Sequence, residues 1–207
     1  AAVAAAVKTR NPKIRVLNYH NSQIAFTRCY RSGETFKEHP DWWLRNDAGD
    51  PYTAYVPADL YYDLSQDVVR HFVANASTLF VPDHATLIDG IFVDKANTPK
   101  NFAGMSATRR DAFALGHTAS INETRKWSHD YFRPGAKLIA NGLHHYSHNT
   151  FPDNGGLDLL PVVDGLCVEH FLSFEMLNGN TGKLRTNLFQ SSIDQINTAT
   201  AAGSARH

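Results

Sequence analysis

The stretch that decides the fold is "LIDGIFVDKANTP", residues 87–99. A short apolar run, 91–93, is bracketed by Asp89 and Asp94 and is followed at once by polar and turn-forming residues. An apolar run of this length, bounded by turn signals, predicts a buried strand. Because buried strands rarely end in a carboxylate without a purpose, Asp94 is a candidate functional residue.

A second stretch repeats this order of residues. "VVDGLCVEHF", residues 162–171, again has aspartate and glycine, then an apolar run, then an acid, Glu169. We therefore predict that Asp94 and Glu169 belong to one site. Asp89 and Asp164 each precede a glycine, and we interpret both as turn residues at the opposite end of the strands.

Strands and helices alternate along the chain. The strands are continuously apolar, which is typical of a parallel sheet covered on its faces. We expect four of them to be parallel neighbours in chain order. The predicted strands are 13–19, 90–94, 137–141 and 163–169, and the predicted helices are roughly 1–8, 66–80, 106–131 and 186–203.

The alternation fits either an open doubly wound sheet or a (β/α)8 barrel. The chain has no glycine-rich phosphate loop of the kind that usually follows the first strand of an open sheet. It places His20, Asp94, Asn141 and Glu169 at strand ends, where barrels carry their catalytic groups. We predict an α/β fold, one TIM-type barrel domain over 1–207. Since only four strands are evident, they are expected to be strands three to six of a longer chain, unless the 21–65 loop hides others.

Composition narrows the class of protein. Twenty basic residues balance twenty acidic ones, so neither nucleic acid nor a membrane is expected as a partner. Asn75 and Asn122 lie in N-glycosylation triplets, and we expect a secreted protein. Cys29 and Cys167 could pair or both be free. The oligomeric state is left open.

Several stretches together resemble a family. They are similar to TIM-barrel glycoside hydrolases, including the extracellular endo-polygalactosaminidase-like group, over roughly residues 11–175. The resemblance implies that Asp94 is the nucleophile or base on the fourth strand and Glu169 the acid on the sixth, acting on a polysaccharide or glycan. The stretches are "PDWWLRNDAGDPY", "YYDLSQDVVRHFV", "IDGIFVDKAN", "IANGL" and "VDGLCVEHF".

Aromatic residues crowd the 21–65 loop. They could stack on sugar rings beside Asp94, and we expect Trp42 or Trp43 to line the same mouth. They could equally cover the barrel as a satellite core. The crowded aromatics are Trp42, Trp43, Tyr52, Tyr55, Tyr61 and Tyr62, and the candidate hydroxyl-binding residues are Asn18, Tyr19, His20, Asp63, Lys95 and Asn141.

Alternatives to this interpretation remain. Asp94 could simply cap the following loop or pair with Lys95, and Glu169 could form an ordinary salt bridge. The protein could be a non-catalytic carbohydrate-binding or structural glycoprotein on the same barrel. His144, His145 and His148 could line the substrate site, lie on the surface or hold a catalytic metal. His144 and His148 are four residues apart, but no glutamate lies between them as in the metalloprotease motif. We expect neither a metal nor a cofactor.

Overall fold

The computed structural model describes residues 2–79, 85–96, 102–142 and 157–168, together with 190, 193–194 and 196–201 in helical conformation. Within these ranges the predicted helices and strands occur in the predicted order, with further short elements between residues 21 and 65. The α-helices are α1 (Ala2–Arg10), α2 (Ser32–Lys37), α3 (Asp67–Leu79) and α4 (Ala107–Tyr131). The strands are β1 (Leu17–Asn21), β2 (Ile24–Phe26), β3 (Asp59–Tyr61), β4 (Gly90–Asp94), β5 (Lys137–Asn141) and β6 (Gly165–Cys167).

Four of the strands form one parallel sheet in the order β1-β4-β5-β6. The predicted order and direction are confirmed. β4 and β5 occupy the predicted ranges, whereas β1 begins four residues late, because the turn in which Ile14 N–H donates to Asn11 C=O takes up the start of the predicted strand. Among the described residues β1 and β6 each have one neighbour, so the closed barrel stays a prediction.

The two faces of the sheet differ. Parallel register places equivalent positions of neighbouring strands on the same face. On one face Ile91, Val93, Leu138 and Ala140 are fully buried in a core cluster that also contains Ile121 of α4. The side chains that alternate with these belong to the opposite face, which carries the polar residues described below.

The 21–65 segment contains two short strands that the sequence pattern did not reveal. β2 and β3 pair antiparallel, outside the main sheet. The segment also contains a turn, in which Asn46 N–H donates to Asp50 C=O and Gly49 has a φ of 94° that favours glycine. A second core cluster, which includes Phe36, Leu44 and Tyr62, packs this segment against α3 and α4.

Asp89 and Asp164 do more than make turns. The Asp89 carboxylate accepts the Val16 backbone N–H at 2.8 Å, and the Asp164 carboxylate accepts the Leu138 N–H at 2.9 Å. Each aspartate therefore fixes the start of the neighbouring strand. At Gly90 the strands approach so closely that a Cβ would lie 1.9 Å from the Lys137 carbonyl oxygen, so this position requires glycine.

Asp89 is also the centre of a buried ion cluster. Its side chain is 2% exposed, and it accepts bonds from Lys8 Nζ at 2.6 Å, from Arg15 at 3.2 Å and from Arg133. Burial alone would raise the pKa of this carboxyl, but the bonds from Lys8, the Val16 N–H and Arg15 outweigh it. They hold the pKa at about 2. The carboxylate is thus strongly favoured in the folded chain.

We expect Asp89 to make the fold sensitive to acid. Because its folded pKa lies below the ordinary value, the stabilisation is complete above about pH 4 and is lost as pH falls towards 2, by about 2 kcal/mol. Urea unfolding at a series of pH values measures this. Asp89→Asn should be less stable at neutral pH and should lose the pH dependence below 4. An unchanged profile in the variant would contradict the assignment.

Candidate functional site

Asp94 lies at the carboxyl end of β4, and three donors hold its carboxylate. Tyr19 OH donates to Oδ2 at 2.5 Å, while Asn141 Nδ2 and the Lys95 backbone N–H donate to Oδ1 at 2.9 and 2.8 Å. Tyr19, Asp94 and Asn141 belong to the neighbouring strands β1, β4 and β5. Parallel strands bring their carboxyl ends to one edge of the sheet, which is why three residues distant in sequence meet there.

The three donors fix the direction of the carboxylate without neutralising it. Tyr19 is 48% exposed, so the site opens to solvent. Partial burial, then the hydrogen bond to Asp94 and its charge, raise the pKa of the Tyr19 phenol above its usual value, so Tyr19 stays protonated and remains a donor. Oδ1 has two donors and Oδ2 has one, which leaves Oδ2 the freer oxygen for chemistry.

The backbone beneath Asp94 is held from the end of β1. Ser22 N–H donates to the Asp94 carbonyl at 3.0 Å, and Ser22 Oγ lies 3.0 Å from that oxygen and 2.9 Å from the Lys95 carbonyl. Gln23 Nε2 also donates to the Lys95 carbonyl. These bonds fix Lys95 in a left-handed conformation with φ 53°. Such conformations cluster at functional sites.

His117, in the middle of α4, supports this arrangement from below. Its Nε2 lies 2.9 Å from Ser22 Oγ. The single hydroxyl hydrogen of Ser22 is used towards the two carbonyls, so His117 must be the donor, with its proton on Nε2. Burial lowers the pKa of His117 to about 4, which keeps the ring neutral. Sequence reasoning missed His117. The only sign in the sequence that this histidine is buried was its place near the small residues Gly116 and Ser120, which the structure also buries.

We expect stability to fall as pH drops from about 6.5 to 4. His117 is buried and neutral in the fold, and its pKa is lowered to about 4, so the unfolded chain takes up its proton first. Nitrogen NMR of the ring should show the neutral Nε2–H form until the pH approaches 4. His117→Phe should remove part of the pH dependence of urea unfolding, since the buried His20, whose pKa is also about 4, contributes over the same range. A ring that becomes protonated near pH 6.5 without loss of structure would contradict this account.

His20 does not join Asp94. It is buried and stacks on Tyr30 with ring centroids 5.7 Å apart, and burial lowers its pKa to about 4. Its Nε2 has no partner among the described residues. Asn18 Nδ2 donates to the Ser77 carbonyl at 2.8 Å. Both residues line a cavity of about 260 Å³ beside Tyr19.

The contacts of Trp42, Trp43 and Asp63 hold the 21–65 segment and the start of α3 together. Trp42 stacks on His39 at 3.8 Å, and Trp43 Nε1 donates to the Phe36 carbonyl at 3.1 Å. Both tryptophans pack against the second core cluster, as the satellite-core alternative expects. Asp63 accepts the Ser65 hydroxyl at 2.6 Å, just before α3. The structure gives these three residues no contact with Asp94.

Some predicted residues fall outside the described ranges. Glu169, His144, His145 and His148 are among them. Within the described part of the chain, no group of three or more histidine, cysteine, aspartate or glutamate side chains could hold a metal ion. No described helix has the length and apolar character needed to cross a membrane.

The structure also gives the positions of the predicted glycosylation sites, the two cysteines and Lys95. Asn75 lies in α3 and Asn122 in α4, both half-buried, and their glycosylation stays a prediction. Cys29 and Cys167 are both free thiols in the structure. The alternative of an Asp94–Lys95 ion pair is not realised: Lys95 meets the carboxylate through its backbone N–H.

Comparison with solved structures finds proteins that resemble this fold. An α-L-fucosidase from Paenibacillus thiaminolyticus aligns with a TM-score of 0.50 at 16% identity, covering 78% of this chain and 24% of that one. An α-galactosidase from Thermus thermophilus gives 0.48 at 16% identity, covering 78% and 28%. The chain thus spans about a quarter of the length of these proteins, and at such identity the likeness concerns the fold alone.

Comparison with known sequences gives the family. No curated protein matches the sequence significantly. Residues 8–206, nearly the whole chain, match the profile of a family described as hypothetical glycosyl hydrolase family 15. The chain belongs to this hypothetical glycosyl hydrolase family.

Proposed function

We propose that this protein hydrolyses glycosidic bonds and that Asp94 is one of its catalytic carboxylates. The observation that carries the proposal is the oriented, solvent-open carboxylate of Asp94 at the carboxyl end of a parallel strand, held by Tyr19 and Asn141. Membership of a glycosyl hydrolase family supports the same reaction class. Fold alone would not, since one fold hosts many functions.

Glycosidic cleavage needs two carboxyl groups on opposite sides of the bond. Asp94 would act as nucleophile or as the base that activates water, through the freer oxygen Oδ2. The Tyr19 hydroxyl and the Asn141 amide would keep that oxygen directed at the anomeric carbon. Glu169, two residues after β6 in the chain, is the proposed acid that protonates the leaving oxygen.

The finer description of the protein is part of the same proposal. Four parallel strands in sequential order are what strands three to six of a (β/α)8 barrel would provide. We propose that the substrate is a polysaccharide or glycan and that the protein is secreted. Because the chain spans only about a quarter of the solved structures it resembles, the activity of the whole protein is proposed with it.

Release of reducing sugar from a panel of polysaccharides and aryl glycosides tests the proposal. We expect turnover that persists in a chelator, since the proposed mechanism uses carboxyl groups alone. Saturable glycan binding with no turnover on any substrate would favour the non-catalytic carbohydrate-binding alternative. Activity lost in chelator and restored by a divalent metal would favour the metal-dependent alternative.

A further inference from the structure

Lys95 follows Asp94 directly in the chain, and its side chain has no acidic partner among the residues that the structure describes. Its left-handed backbone is fixed by the bonds that Ser22 and Gln23 make to its carbonyl. Among the described residues its ammonium forms no ion pair. It lies over the ring of Tyr55, with Nζ 6.0 Å from the ring centroid. A constrained backbone, bonded to the Asp94 carboxylate through its N–H, that directs a cation to an exposed aromatic ring indicates a binding group.

Tyr55 offers a surface on which a sugar ring can lie. It is 69% exposed, one of the most exposed large hydrophobic residues described. Its ring is held by stacking on Phe26, with centroids 6.1 Å apart and planes at 17°. Unlike Trp42 and Trp43, it is therefore both fixed and open to solvent. A flat aromatic beside an ammonium suits a ligand with an apolar ring face and an anionic group.

A second free cation lies at the other end of the same aromatic row. Tyr30 packs edge-on against Phe26 at 5.7 Å, and Tyr30 lines the 260 Å³ cavity that adjoins Tyr19. Arg31 is the only charged residue that lines this cavity, and it has no ion pair within the described ranges. Lys95 and Arg31 thus flank the row, and no carboxylate in the described part of the chain neutralises either.

We propose that the sugar bound next to Asp94 carries a carboxylate, as a uronic acid does. Lys95 would bind the carboxylate and Tyr55 would contact the ring, with Arg31 favouring a further anionic residue of the chain. A uronate would be repelled by the Asp94 charge, and Lys95 offsets that repulsion. A cationic amino sugar would be attracted by Asp94 but repelled by both Lys95 and Arg31. This inference rests on the proposed function, because it treats the surroundings of Asp94 as a sugar site.

Calorimetric binding of uronate oligosaccharides tests this inference. Galacturonate, glucuronate and mannuronate oligomers are each compared with their methyl esters, which keep the sugar and remove the charge. All proteins carry Asp94→Asn so that nothing is turned over. We expect one acid to bind about tenfold more tightly than its ester, the effect of one charge-assisted bond. Lys95→Gln should abolish this preference, and Tyr55→Ala should weaken acid and ester alike.

Lys137→Gln is the matched control, because Lys137 is 62% exposed at the opposite end of the sheet. It should leave the acid preference unchanged. Any one of four results would overturn the inference. They are equal binding of acid and ester, an acid preference that survives Lys95→Gln, no binding of any uronate, and tighter binding of sulfated or amino-sugar oligomers. Hydrolysis of neutral glycans without acid preference would overturn it while the proposed function stands. Acid-specific binding without any hydrolysis would overturn the proposed function while the preference for a uronic acid stands.

Discussion

Asp94→Asn is expected to reduce kcat by a factor on the order of 10⁴, with little change in substrate binding. Asparagine keeps the shape and one acceptor oxygen, so the bonds from Lys95 N–H and Asn141 can persist. It removes the negative charge that must attack or activate water at the anomeric carbon. Steady-state kinetics on the best substrate, with binding measured separately, would show loss of turnover without loss of affinity.

Asp63→Asn is the matched control for this variant. Asp63 is a carboxylate bonded to Ser65 and Gln66 at the start of α3, with no contact to Asp94. Its replacement should leave kcat nearly unchanged. Full turnover in Asp94→Asn, with a folded state confirmed by its circular dichroism, would remove Asp94 from the mechanism.

Glu169→Gln should have an effect that depends on the leaving group. A general acid is needed when the departing oxygen is a strong base, as in a natural glycoside, and matters little when a nitrophenolate leaves. We therefore expect kcat/KM to fall on the order of 10³-fold for oligosaccharides and by a much smaller factor for dinitrophenyl glycosides. The comparison of the two substrate types in one variant is the measurement.

The control for Glu169→Gln is Glu34→Gln. Glu34 lies on the surface in α2 and pairs only with Lys37 among the described residues. The Glu34→Gln variant should show no difference in relative kcat/KM between the two substrate types. An equal loss on both types in Glu169→Gln would mean that Glu169 is not the acid, and would favour a role in binding or stability instead.

The strands of the parallel sheet and the meeting of Asp94 with Asn141 could be predicted because both follow from local pattern. Continuous apolar runs marked β4 and β5, and the parallel arrangement then placed the residues at their ends on one edge of the sheet. The same logic gave Tyr19 as a candidate, although not its hydroxyl bond to Asp94.

What depends on long-range packing could not be predicted. Nothing local distinguishes Tyr55, which is exposed, from Trp42, which packs against the second core cluster, although both occur in one aromatic loop. The support of Ser22 by His117 joins residues 95 positions apart. The local pattern around Asp89 indicates only a turn, because the cations that bind its carboxylate come from three separate segments.

The distance between the carboxyl groups of Asp94 and Glu169 tests the central claim most directly. A crystal structure of the full protein with an oligosaccharide bound to Asp94→Asn would supply it. We expect both groups to face one sugar ring, about 5–5.5 Å apart if configuration is retained and roughly 6.5–9.5 Å apart if it is inverted. Two results would contradict the account. One is a separation of more than about 12 Å between the carboxyl groups, which is beyond what either mechanism spans. The other is a Glu169 carboxylate enclosed in a buried salt bridge.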